Sequence, residues 1–130
     1  FTEEKIQAIK DLPIWLVQSA DDPVVVPANY MLPTYQALVK AGAENTWMSY
    51  FETVEGTDSP GTTYLGHFSW IYLFNNQVTG VQDKEAIAAA ADTETFGSEP
   101  SNAAGGGTAA ATVGGTTYAN IFEWLNAQSK

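Results

Sequence analysis

Residues 13–23 read Pro13-Ile14-Trp15-Leu16-Val17-Gln18-Ser19-Ala20-Asp21-Asp22-Pro23. A short apolar run that gives way to small and acidic residues is typical of a strand buried on both of its faces and of the loop that leaves it. Strands of this kind belong to parallel sheets, where ligands and catalytic groups gather at the carboxyl edge. The stretch therefore predicts an α/β fold with Asp21 at its functional edge.

The residues on either side of this strand complete a βαβ unit. Residues 2–10 have the capping residue, the acidic first turn and the apolar spacing of a helix. Pro27 stands near the start of a second predicted helix, over 28–40, which ends at Ala41-Gly42. Strand-forming residues follow over 46–51. Strand, helix and strand in this order predict a parallel pair joined by a right-handed crossover.

The rest of the chain is expected to add loops and helices to the same domain, which spans residues 1–130. The polar residues 52–66 predict a long loop, and an aromatic-rich helix follows it. Residues 77–117 are expected to form an Ala/Gly-rich insertion with a short helix at 87–91. Residues 98–117 are rich in Ala, Gly and Thr and contain little that can pack, so we expect a flexible insertion or a surface loop there. Residues 118–130 predict a C-terminal helix. The acid and histidine loops described below both fall within residues 1–76.

Composition excludes several classes of function. The 130 residues include 15 acidic residues against five lysines and no arginine, which gives a net charge of −10. Phosphate backbones and anionic membranes attract Lys and Arg, so we expect no nucleic-acid or membrane partner. Without cysteine the chain cannot form disulfides, thiolate zinc sites or a Cys nucleophile. It also lacks the run of about 18 apolar residues that a transmembrane helix needs.

Asp21 and His67 are the candidate catalytic residues. Asp21 follows the first predicted strand, and His67, the single histidine of the chain, comes after the second. Both can therefore reach the carboxyl edge of the sheet. A carboxylate that accepts the imidazole Nδ1–H fixes the tautomer, so that Nε2 can act as a base. A lone histidine in a Gly-rich loop is more often structural, and the residues around the pair decide between the two readings.

Both loops resemble those of the α/β-hydrolases. Residues 13–25 resemble the acid-bearing strand and loop of the branch that holds the prolyl-oligopeptidase-like and polyester-depolymerase-like serine esterases. Gly66-His67-Phe68-Ser69-Trp70 resembles the histidine loop of the same group. The likeness implies the C-terminal βαβ portion of a hydrolase sheet with flanking helices. It also implies Asp21 as the acid of the catalytic triad and His67 as its base, whereas Asp22 is expected to cap the loop.

The nucleophile of these hydrolases is missing from the sequence. In the family the chain order is Ser, then Asp, then His. No Gly-x-Ser-x-Gly motif occurs in this chain, and only 20 residues precede Asp21. We therefore expect the serine, the oxyanion donors and the rest of the sheet to lie on a missing or separate N-terminal part, and this chain alone to be inactive. A start at Phe1 rather than at Met agrees with a fragment or a processed product.

The resemblance implies ester hydrolysis, in preference to peptide hydrolysis, by a Ser-His-Asp triad without a metal or an organic cofactor. Trp70, Phe68 and Tyr64 are candidate walls of the substrate pocket. The expected partners are the nucleophile-bearing part and a small-molecule or polymer ester, and likeness to secreted microbial esterases favours an extracellular location. Two alternatives stay open. One is a non-catalytic carbohydrate- or polymer-binding module built on the aromatic residues, and the other is an inactive hydrolase-like scaffold.

Overall fold

A computed structural model describes residues 2–55, 63–74, 76–90 and 97–128, without the side chain of Phe68. The elements in chain order are α1 (Glu3–Ile9), β1 (Ile14–Ser19), α2 (Met31–Lys40), β2 (Thr46–Phe51), β3 (Val54–Glu55), β4 (Thr63–Tyr64), α3 (Trp70–Phe74), α4 (Lys84–Ala89), β5 (Ala111–Val113), β6 (Thr116–Tyr118) and α5 (Ile121–Ala127). Short 3₁₀ turns lie at Pro27–Asn29 and Gly66–Phe68. This mixture of helices and small sheets confirms the α/β class.

The βαβ unit at the centre of the fold is confirmed. β1 and β2 pair in parallel, in a register that sets Ile14 opposite Thr46 and Ser19 opposite Phe51. The connection between them runs through the 3₁₀ turn at Pro27–Asn29 and then through α2. The two small remaining sheets, β3–β4 and β5–β6, are antiparallel hairpins.

Helices cover both faces of the β1–β2 pair. On one face α2 packs Tyr35 against Met48 of β2. On the other face Trp124 of α5 packs against Trp47 of β2. The indole N–H groups of both tryptophans donate to Asn45 Oδ1, at 3.0 Å from Trp47 and 2.8 Å from Trp124. Because these buried donors share one acceptor, α5 is held at the start of β2 as well as against its face.

Part of the Ala/Gly-rich stretch packs closely: Gly105, Gly106, Gly107 and Ala111 are buried, so the expectation that residues 98–117 hold little that packs is wrong for this part, whereas residues 114–117 are exposed. Val78, Val81 and Ala111 are almost fully buried in the same cluster as Trp47. The glycines allow this closeness, since a Cβ on Gly106 would lie 2.5 Å from the Cβ of Ser49 on β2. Small residues therefore serve here as close-packing positions and not as a flexible tail. Residues 91–96 of the stretch lie outside the described residues.

The C-terminal helix is shorter than the sequence predicts. Tyr118 belongs to β6, and α5 begins at Ile121, after Asn120 accepts a hydrogen bond from the backbone N–H of Glu123 at 2.9 Å. In the part of the chain that the structure describes, no helix has both the length and the apolar character needed to cross a membrane.

Candidate active site

His67 lies next to the loop that follows β1, at the carboxyl edge of the parallel pair. It occupies the 3₁₀ turn at Gly66–Phe68, which contacts β1. Gly66 makes the approach possible, because a Cβ at that position would lie 2.6 Å from the carbonyl carbon of Asp21 and 2.7 Å from its oxygen. The turn thus brings the imidazole to the acid loop, as the sequence predicts. The side chain of His67 stays 36% exposed, so its ring is open to a reactant.

The carboxylate that contacts His67 belongs to Asp22. Its Oδ2 lies 3.3 Å from His67 Nδ1 and also accepts from Gln18 Nε2 at 3.0 Å. Its Oδ1 accepts from the backbone N–H groups of Val24 at 2.9 Å and Val25 at 3.0 Å. The side chain is 5% exposed. A buried carboxylate with four donors around it is held in a single orientation.

Asp21 was predicted to make this contact, but the carboxylate that the structure places at His67 Nδ1 is that of Asp22. Asp21 is exposed, and its Oδ1 accepts a hydrogen bond from the hydroxyl of Ser19. Asp22 was expected to cap the loop and not to contact the histidine. In the structure Asp22 makes both interactions, because Oδ1 caps the loop while Oδ2 faces the imidazole. The Asp22-Pro23 step was the sequence signal for this arrangement. An aspartate that accepts hydrogen bonds from the backbone N–H groups two and three residues ahead forms a tight turn, which fixes the orientation of its carboxylate.

The state of ionisation of Asp22 determines which nitrogen of His67 carries the proton. Burial raises the pKa of the Asp22 carboxyl, but the hydrogen bonds from Val25, Gln18, Val24 and His67 together outweigh burial and hold the pKa below its ordinary value of 3.8. The group is therefore a carboxylate at neutral pH and can only accept. Nδ1 of His67 must then donate, so Nε2 is the basic nitrogen of the neutral ring.

Gln18 is a site residue that the sequence reading did not single out. Its buried side-chain amide donates to Asp22 Oδ2 and to the carbonyl oxygen of Val25, which joins the strand to its following loop. A polar residue in the apolar strand, four positions before Asp22, was the available signal.

The three predicted pocket residues lie near His67 to different degrees. The Trp70 ring stands edge-on to the imidazole, with centroids 6.1 Å apart and planes at 83°. It is 47% exposed, as a residue that meets a ligand would be. Tyr64 is half-buried in β4 and packs against the core below. The side chain of Phe68 lies outside the described residues.

A cleft adjoins the acid loop on the α2 face of the sheet. Its volume is about 390 Å³, and its walls are mostly apolar: they include Leu16, Val25, Tyr30 and Met31. Val25 belongs both to this cleft and to the cap on Asp22. No group of three or more acidic or imidazole side chains that could hold a metal ion occurs among the described residues.

Comparison of the chain with protein-family models, with curated proteins and with solved structures finds no match.

Proposed function

We propose that Asp22 and His67 are the acid and base of a serine hydrolase that cleaves esters, and that its nucleophile lies on a part of the enzyme outside these 130 residues. The observation that carries the proposal is the hydrogen bond between the ionised Asp22 carboxylate and His67 Nδ1 at the carboxyl edge of a parallel sheet. The likeness of both loops to those of serine esterases supports it. The proposal replaces Asp21 by Asp22 and keeps the predicted role of His67.

The chemistry would proceed in two halves. His67 Nε2 would take the proton of the serine hydroxyl while the serine oxygen bonds to the ester carbonyl carbon, and Asp22 would stabilise the imidazolium that forms. His67 would then give the proton to the departing alcohol, which leaves an acyl-enzyme. Water, deprotonated by the same nitrogen, would release the acid and regenerate the serine. The half-exposed Trp70 would form one wall of the site for the acyl or alcohol group.

The first test asks whether a nucleophile accompanies the chain. Native material that contains the chain is treated with a fluorophosphonate and examined by intact-mass spectrometry. We expect a second polypeptide to carry the label, because the chain itself has no nucleophile elbow. A preparation in which nothing takes the label would contradict the proposal.

The second test compares the two neighbouring aspartates in the complete enzyme, without fluorophosphonate treatment. We expect Asp22→Asn to lower kcat for a nitrophenyl ester by about 10³- to 10⁴-fold, because the amide favours the wrong tautomer of His67. Asp21→Asn is the matched control and should keep activity within about threefold, since Asp21 is exposed and its Oδ1 accepts a hydrogen bond from the hydroxyl of Ser19. His67→Ala should abolish turnover. Equal losses from the two aspartate variants would contradict the assignment.

A non-catalytic binding module is the second candidate, because α3 exposes aromatic side chains. Trp70 is 47% and Phe74 75% exposed, and their spacing of four residues sets them on one side of the helix. Exposed aromatic rings of this kind stack on sugars and apolar polymers. If this reading is correct, soluble oligosaccharides quench the tryptophan fluorescence, Trp70→Ala removes the response, and the preparation holds no fluorophosphonate-reactive serine.

A further inference from the structure

One edge of the central sheet has no partner among the described residues. In the parallel ladder alternate residues of β1 face β2: Ile14 N–H donates to Asn45 O at 3.0 Å, and Ala20 N–H to Phe51 O at 2.6 Å. Trp15 and Val17 therefore turn their backbone N–H and C=O groups to the opposite side. No described residue bonds to these backbone groups.

The outer edge of β2, in contrast, is covered. Gln82 N–H donates to Met48 O at 2.8 Å, Tyr50 N–H donates to Gly106 O at 2.8 Å, and Ser101 N–H donates to Tyr50 O at 2.9 Å. All six residues of β2 are buried, while the first four residues of β1 are only half-buried. Among the described residues, the outer edge of β2 is therefore hydrogen-bonded, and the outer edge of β1 is unpaired.

The side chains of β1 indicate what kind of element completes it. Its first four residues are apolar and point alternately to both faces. A continuous apolar run is typical of a strand with a neighbour on each side in a parallel sheet. The apolar cleft is lined by Leu16 of β1, by the loop after it and by α2, with no residue of β2 among its walls. A strand added at this edge would pair with Trp15 and Val17 and direct an apolar side chain into the cleft.

Charge and direction limit the source of that strand. With a net charge of −10, a second copy of this chain is repelled, and a positively charged partner is attracted. A strand parallel to β1 ends at the edge that holds Asp22 and His67, so a group that follows it can reach the imidazole. An antiparallel strand would end at the far side of the sheet.

We propose that the open edge of β1 binds a parallel strand of the polypeptide that supplies the nucleophile. The inference rests on the proposed function and adds to it the place and the manner of docking, by strand addition. The backbone groups of Trp15 and Val17 give the affinity, and the cleft beside Leu16 selects an apolar side chain.

The test uses the purified chain and a synthetic peptide as the probe. The peptide is a lysine-flanked strand of alternating valine and threonine, N-methylated on every second amide so that it pairs along one edge only. Amide hydrogen exchange is followed residue by residue by NMR. We expect the Val17 amide to slow by about tenfold or more with the peptide, because it gains a hydrogen bond, whereas Leu16 and Gln18, which face β2, change little. An unchanged Val17 amide at millimolar peptide overturns the inference.

Val17→Pro gives a matched pair with Val17→Thr. Proline removes the outward N–H and costs no bond to β2, whereas threonine keeps the N–H and changes the apolar contact only. Peptide binding should be lost in the first variant and kept in the second. If Val17→Pro does not fold, a peptide methylated on all its amides supplies the comparison on the unaltered chain. Binding of that peptide as tightly as the first would overturn strand pairing.

The inference and the proposed function fail in different ways. A fluorophosphonate-labelled partner that leaves the Val17 amide in fast exchange overturns the docking site alone. A strand peptide that protects Val17, in a preparation where nothing takes the label, overturns the proposed function and the identity of the partner. A labelled partner that protects Val17 supports both.

Discussion

At the scale of a single residue, the carboxylate of Asp22 both caps a loop and contacts His67. Its two oxygens have different partners. Oδ1 accepts hydrogen bonds from the backbone N–H groups of Val24 and Val25, and Oδ2 accepts from Gln18 and His67. The cap prevents rotation of the carboxylate, and a carboxylate that cannot rotate keeps His67 in one tautomer. The geometry of the loop and the tautomer of His67 thus depend on the same side chain.

The lowered pKa of Asp22 predicts how stability depends on acid. The folded chain holds the pKa of this carboxyl below 3.8, so its contribution to the free energy of unfolding is complete above that pH and is lost as the pH falls through the lower folded value. We expect urea midpoints measured between pH 5 and pH 2 to fall less steeply in Asp22→Asn than in the wild type. Asp21→Asn is the matched control, because it changes the neighbouring aspartate and leaves the hydrogen bonds of Asp22 in place. A parallel shift of the Asp22→Asn curve, without a change in slope, would contradict the prediction.

At the scale of an element, the 3₁₀ turn at Gly66–Phe68 works only because its first residue has no side chain. Its backbone runs against the acid loop with no room for a Cβ, since the carbonyl carbon of Asp21 lies 2.6 Å from where one would be. The next residue is His67, so the close approach and the position of the imidazole have the same cause. The glycine is needed here for space.

Gly66→Ala should therefore uncouple the histidine from the aspartate. The added methyl group must push the turn away from Asp21, and forcing a group into a filled space costs about 1–3 kcal/mol. We expect lower stability in urea and, by ¹⁵N NMR, a loss of the preference for the Nδ1–H tautomer of His67. Ser69→Ala, in the same region, is the control, because no described residue forms a hydrogen bond with its hydroxyl. A tautomer preference that survives in Gly66→Ala would show that the turn can shift without moving the imidazole.

At the scale of the whole molecule, negative charge is poorly compensated. The net charge is −10, and within the described residues the one ion pair between a lysine and a carboxylate is the exposed pair of Lys10 and Asp11. Exposed ion pairs add little stability. Screening by salt therefore weakens little attraction between opposite charges and much repulsion among the carboxylates. The same surplus favours a positively charged partner at the open edge of β1.

Salt should accordingly stabilise the folded chain. Between about 0.01 M and 0.15 M salt the screening length falls from about 30 Å to about 8 Å, which weakens the repulsion among carboxylates across the surface. We expect the thermal midpoint to rise over this range in sodium chloride. Sodium sulfate at equal ionic strength separates screening from the preferential exclusion of sulfate, which also stabilises folded proteins. A midpoint that falls in sodium chloride would mean that attractive pairs dominate.

The sequence by itself determined the features that depend on neighbours along the chain. The apolar run of β1, the glycine after α2 and the strand-forming residues of β2 are local signals, and with the rule of right-handed crossovers they determine a parallel pair. They also bring the acid loop and His67 to the same edge, because the carboxyl ends of parallel strands lie together. The α/β class and the meeting of an aspartate with the histidine could be predicted on these grounds.

The tertiary structure alone decided which aspartate meets His67 and what covers each edge of the sheet. Asp21 and Asp22 are neighbours with identical side chains. Only the turn through Val24 and Val25 directs the carboxylate of Asp22 into the site. The sequence does not show that the small residues of 97–117 can pack, because their packing depends on how closely their backbone approaches β2. Where the backbone comes very close, a glycine fills the space that a large side chain fills at a longer distance. Both outcomes depend on distances between residues far apart in the chain, and periodicity contains no information about such distances.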